Sequence, residues 1–101
     1  MPETIAMAKA RSADEVRRFT DIPNVGPATA DDFARLGLRT PAELAACDAL
    51  ALYRRLCDID GVRHDPCVID VFLASVDFMR GAPARPWWHY TPERKALLDR
   101  G

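Results

Sequence analysis

The stretch Asp21-Ile22-Pro23-Asn24-Val25-Gly26-Pro27-Ala28-Thr29-Ala30 holds two prolines, one glycine and no basic residue, and it falls between two helical patterns. A tight turn of this kind can aim unpaired backbone N–H groups at a phosphate, because the first N–H groups of a helix have no intrahelical partner. It can equally be a plain corner of a small helical bundle, with Ile22 and Val25 filling the core. In a second loop Arg63 and His64 could add phosphate contacts, or stand solvated. Contacts of this type position nucleic acid without reading its sequence.

Other reactive side chains point to less. Cys57, His64 and Cys67, with Cys47 or His89 as a fourth ligand, invite a zinc reading. Their spacing matches none of the paired ligand patterns, and cysteines within apolar helical stretches behave as small buried hydrophobes. The two histidines have no converging partners, and the carboxylates recur at helix-surface spacing. The expectation is a protein with no catalytic residue, no metal and no cofactor. Near the C-terminus Arg85, Trp87, Trp88 and Tyr90 surround His89. Such rings can stack on exposed bases, pack back on the bundle, or dock a partner protein, for which Trp and Arg are frequent anchors.

A single domain must position these groups. The chain has 101 residues, 49% hydrophobic and 29% charged, with a net charge of −1. That balance suits a globular fold rather than a disordered chain. Residues 21–60 hold seven acidic side chains against four basic ones, so the first turn lies in the most acidic part of the chain. This argues against a strong nucleic-acid binder, whose affinity comes mainly from phosphate neutralisation. No apolar run approaches a membrane span and no secretory signal is legible, so the expected location is cytoplasmic. Three cysteines, an odd number, argue against a disulfide framework.

The helix signals are well marked and no segment alternates with period two, which predicts an all-α fold. Ser12 and Glu15 read as a capping box opening a helix over about 13–20, with Val16 and Phe19 as its apolar edge. Pro27 opens a second helix that Gly37 ends. Thr40, Pro41 and Glu43 start a short third over 41–46, and Asp48 caps a fourth in which Leu50, Tyr53, Leu56 and Cys57 share a face. A fifth runs from Asp65 and Pro66 to Gly81. Its apolar residues cover most of the circumference and leave only Asp70, Ala74 and Asp77 as a narrow stripe, so it should be the centre of the bundle. The proline-rich stretch 82–90 should be extended, and residues 91–98 a last short helix. The domain organisation is then a tail over 1–11, the helical domain over 12–81 and an aromatic arm over 82–101.

Residues 21–26 also echo residues 58–63: Ile22 with Ile59, Asn24 with Gly61, Val25 with Val62. A true repeat would make two helix–turn–helix units joined by a short connector helix.

The stretch from Ile22 to Leu44 resembles the helix-hairpin-helix superfamily. With the segments Leu52–Gly61 and Asp65–Phe72 and the Trp87–Tyr90 cluster, the chain is similar to a small bacterial family of pathogenicity-locus proteins. The resemblance implies that Ile22 and Val25 are apolar pegs and Gly26 the second glycine of the hairpin. It also implies that N–H groups from Asn24 to Thr29 bind a DNA phosphate. This sequence departs from that pattern. Asn24 replaces the first glycine, Pro27 has no N–H to give, Ala28 stands where a basic residue is common, and Asp31 and Asp32 follow one turn later. Thr29 keeps a hydroxyl donor. The leading expectation is a non-enzymatic, sequence-independent DNA-binding module. The alternative is a protein-interaction module that uses the aromatic arm.

Overall fold

A computed structural model describes residues 9–100; the first eight residues of the expected tail, and Gly101 of the arm, lie outside the described residues. The protein is all-α, with no strand among the described residues. Among the described residues four α-helices are present: α1 (Pro27–Arg35), α2 (Ala49–Asp60), α3 (Cys67–Met79) and α4 (Thr91–Arg100). None is long and apolar enough to cross a membrane.

Several starts follow the local chemistry of the sequence. Pro27 stands at the head of α1. The Asp48 carboxylate accepts the Ala51 N–H at 2.9 Å to cap α2, and the Asp65 carboxylate accepts from Cys67 at 2.9 Å to open α3. Such caps satisfy donors that the first turn of a helix leaves over.

Two expected helices are shorter and tighter. The span 13–20 is not one helix but two 3₁₀ turns, Ala13–Glu15 and Phe19–Asp21. Ser12 gives its backbone carbonyl rather than its hydroxyl to Glu15, while the Glu15 carboxylate reaches past it to the Arg11 N–H at 2.8 Å. Asp21 likewise accepts from Arg17 and Arg18, both at 2.9 Å. Each carboxylate closes a single turn on itself, so nothing propagates. The 41–46 segment is also 3₁₀, with Glu43 accepting from Arg39 at 2.6 Å and Thr40 at 3.3 Å.

Helix α3 is central, as its apolar circumference requires. It packs against α2, the 41–46 turn, the Trp87–Tyr90 segment and α4. Its Phe72 ring meets Phe33 of α1 at 5.2 Å between centroids, and Phe33 meets Phe19 at 5.3 Å, so one aromatic chain ties the first turn to the centre. Fully burying a ring, as at Phe33 and Phe72, is worth about 1.5–3 kcal/mol. The polar stripe expected on α3 does not face solvent. Asp70 is fully buried and Ala74 is buried. Arg94 and Thr91 of α4 cover the carboxylate, with Arg94 Nε 2.9 Å from one oxygen and the Thr91 hydroxyl donating to the other at 2.6 Å.

The arm departs from an extended course. Trp87–Tyr90 coil into a 3₁₀ turn that runs directly into α4. Tyr90 brings its ring into the core, which anchors the coil.

A candidate phosphate-facing turn

The Asp21–Gly26 segment is held from three sides. Ile22 and Val25 are both 0% exposed. Asn24 adopts φ 73°, a left-handed conformation that asparagine tolerates better than most residues. Its side-chain amide donates to the Arg85 carbonyl at 2.8 Å, so the arm is stapled over the turn. The third support is Lys9. Its ammonium donates to the Thr20 carbonyl at 2.5 Å and the Val25 carbonyl at 2.6 Å, while the Ala10 N–H donates to Asp21 O at 2.8 Å. The turn carries no basic residue of its own, yet the fold brings a cation to its rim. Sequence reasoning assigned residues 1–11 to a tail and missed this lysine; no motif marks it.

The supply of donors at the turn is smaller than the sequence suggested. The Val25 N–H goes to Ile22 O at 3.1 Å and its side chain is buried, so Val25 has no N–H to offer a ligand. Pro27 has none. The Ala30 N–H closes the first helical bond, to Gly26 O at 2.9 Å. Gly26 is the N-cap of α1 and supplies no side-chain cap, leaving the N–H groups of Ala28 and Thr29 at the helix start.

Arg63 and His64 lie elsewhere. His64 Nε2 is 2.6 Å from an Asp60 carboxylate oxygen, and the other Asp60 oxygen pairs with Arg35, the last residue of α1. At about 1.5 Å of rise per residue, Arg35 stands roughly 10 Å along α1 from the Ala28 N–H. The His64 side of the loop and the turn donors therefore do not converge. Arg35 also holds Asp32 at 3.4 Å. Burial raises the Asp32 carboxyl above its ordinary value; Arg35 and His64 oppose that shift and Asp31 adds to it. Asp21, by contrast, is held below the ordinary carboxyl value by the N–H groups of Arg18 and Arg17.

The aromatic cluster splits. Tyr90 is a core residue, withdrawn from any partner, and burial pushes its hydroxyl up. Trp87 is half-buried and Trp88 is 61% exposed; their rings meet edge-on at 5.6 Å. Arg85 is half-buried and meets the turn through its carbonyl rather than its charge. The cysteines are dispersed: the Cys47 thiol donates to Glu43 O at 3.3 Å and Cys57 sulfur accepts from the His64 N–H at 3.4 Å. Cys67 lies beside Asp65, which raises its thiol. No three of the described His, Cys, Asp and Glu side chains gather as a metal set.

An all-α bundle whose first turn is pegged, stapled and backed by a lysine is the class of protein that the fold defines. The chain belongs to the Cdd1 pathogenicity-locus family, which matches residues 12–96 and so takes in the turn, both loops and the arm as far as Arg94 and beyond. It is also similar to a protein of Streptomyces lavendulae named mitomycin resistance protein McrB, with 48% identity over 80 residues, 79% of this chain and 76% of that one. No solved structure matches the chain.

Proposed function

We propose that the turn and the first turn of α1 form a corner of helix-hairpin-helix type. In this reading the protein is a non-enzymatic, cytoplasmic module that binds the nucleic-acid backbone weakly and without sequence preference. The observation that carries this reading is the uncapped start of α1: Gly26 contributes no side-chain acceptor, so the Ala28 and Thr29 N–H groups stand ready for an external anion. The buried pegs Ile22 and Val25 and the left-handed Asn24 keep that end rigid. Lys9 supplies a positive charge at the rim.

A second reading has a specific observation in its favour. Trp88, 61% exposed beside the half-buried Trp87, is a surface aromatic of the kind that anchors protein partners.

Gly26 offers a clean test. A Cβ there meets nothing within 4 Å and φ is −99°, so Gly26→Glu places a carboxylate at the helix start without a clash, and Gly26→Ala is its neutral control. Labelled single-stranded, duplex and branched DNA are titrated at low salt. Wild type and Gly26→Ala bind, Gly26→Glu does not, and the salt dependence is shallow, with a slope of about −0.9 per phosphate on duplex. Absence of binding by wild type, or equal binding by Gly26→Glu, overturns the reading. The name of the Streptomyces relative suggests a cellular readout, survival on mitomycin with and without the protein.

A further inference from the structure

A residue held at φ 73° is accommodated with least strain by glycine, and the counterpart of Asn24 in the second loop, Gly61 at φ 67°, is one. What asparagine adds is a side-chain amide, and the fold gives it a distant partner. Its Nδ2 donates to the Arg85 carbonyl at 2.8 Å, 61 positions along the chain, in partly buried surroundings. A local turn is thereby fastened to the arm.

The arm is seated in turn on α3. Tyr90 is buried, and the Trp87–Tyr90 segment packs against that helix. Helix α4 follows without a break, and none of its residues is buried. Leu97 and Leu98 are half-buried, so α4 offers the bundle little apolar surface. A helix of 10 residues is marginal in water on its own. Its seat is polar: the Thr91 hydroxyl and the Arg94 guanidinium both donate to the buried Asp70 carboxylate, at 2.6 and 2.9 Å. Elements with so little buried apolar surface open locally before the rest of a fold.

These attachments form one line. Asp70 of α3 holds Thr91 and Arg94, the coil leads back from Thr91 to Arg85, and Arg85 holds Asn24. Next to Asn24 is Val25, whose N–H closes the turn on Ile22, and then Gly26, whose carbonyl accepts the first helical bond of α1 from Ala30. The Ala28 and Thr29 N–H groups lie between those two bonds. We infer that the C-terminal arm governs this turn through Asn24, a positioning residue whose amide keeps the Ala28 and Thr29 N–H groups aimed while the arm is seated on α3. The consequence for nucleic acid rests on the function proposed above for the turn; the coupling itself does not. Linkage is reciprocal, so an anion bound at the turn steadies the arm and α4.

The coupling is tested on the full chain with two single variants and their combination. Asn24→Gly keeps a residue that accepts the left-handed turn and removes the amide. Thr91→Val removes one hydrogen bond from Asp70. Amide hydrogen exchange, followed by NMR, reads the turn with no ligand present. In Asn24→Gly exchange quickens roughly three- to tenfold at Val25 and Ala30, the size that one lost hydrogen bond allows, and is unchanged in the middle of α2. In Thr91→Val it quickens at α4 and at the turn. In the double variant the turn exchanges no faster than in Asn24→Gly alone, because the route is already cut. Labelled single-stranded and duplex DNA bind the variants more weakly in the same order, and saturating DNA slows exchange in α4 of the wild type but not of Asn24→Gly. Equal exchange at Val25 and Ala30 in wild type and Asn24→Gly, or additive effects in the double variant, overturns the inference. If wild type and Asn24→Gly bind DNA equally, the inference falls and the proposed function of the turn stands. If wild type binds none, that function falls and the exchange rates alone decide the inference.

Discussion

The first turn and the loop after α2 share a sequence pattern and a backbone feature, yet they do opposite things with their apolar side chains. Asn24 has φ 73° and Gly61 has φ 67°, so the left-handed residue recurs at the same place in both. Ile22 and Val25 are 0% exposed, whereas their counterparts Ile59 and Val62 are 46% and 56% exposed. The backbone kink is local, set by residues that accept positive φ. Burial depends on what stands opposite. Around the first turn stand the core of the bundle and the arm, stapled by Asn24 to Arg85. The second loop is the end of α2, with the Val62 N–H returning to Cys57 O at 3.2 Å, and its polar neighbour Asp60, which holds His64, links it to the rest through Arg35 of α1. The echo is a repeat of turn chemistry, not of packing.

The largest effect should come from cutting the support that only the first turn has. Arg94 pairs with the buried Asp70 and so holds α4, and through it the arm, against α3. Arg94→Met leaves that carboxylate uncompensated and should cost about 3–5 kcal/mol in urea unfolding. Adding Asp70→Leu should recover much of it. With the arm loosened, hydrogen exchange should quicken at the first turn and stay unchanged at Gly61 and Val62. Equal quickening at both would erase the distinction between them.

Next in size are the paired truncations. Ile22→Ala should cost about 2–5 kcal/mol, the range for deleting a buried aliphatic side chain. Ile59→Ala should cost about 0.5 kcal/mol or less, as exposed substitutions do. Similar losses at the two positions would show that the second loop is as buried in solution as the first.

The smallest effect is acid dependence. The carboxyl of Asp21 is lowered on folding, by the N–H groups of Arg18 and then Arg17. Its contribution is therefore present above the ordinary carboxyl pKa of about 3.9 and lost as pH falls through the lowered value. Stability should decline below about pH 4, and Asp21→Asn should flatten that decline in part, since Glu43 and Asp65 are lowered too. Asp32, raised mainly by burial, works in the other sense: its charged form is disfavoured by folding, so acid relieves it. Urea midpoints from pH 3 to 7 for wild type and Asp21→Asn check the sign.

Much of the fold was legible because the signals are short-range. Pro27 at the head of α1, the Asp48 cap, the Asp65 start and the wide apolar face of α3 each involve residues within a turn or two of one another. The lengths of the 13–20 and 41–46 elements were not legible, because a carboxylate that reaches back to an N–H fits one 3₁₀ turn as well as the start of an α-helix. The candidate site was half legible. The pegs and the kink could be read, but that Val25 consumes its own N–H and that His64 faces away could not.

By itself the sequence determined the all-α class, the central helix, the kinks at Asn24 and Gly61 and the starts of the helices, since these rest on dihedral preference and on hydrogen bonds between near neighbours. Only the tertiary structure decided that Ile59 and Val62 meet no surface to bury them, that Asp70 is closed over by Arg94 and Thr91, and that Lys9 sits on the turn. Each of those depends on residues at least a helix-length apart in the chain. Their energies belong to the meeting of surfaces, and no local pattern of residues encodes which surfaces meet.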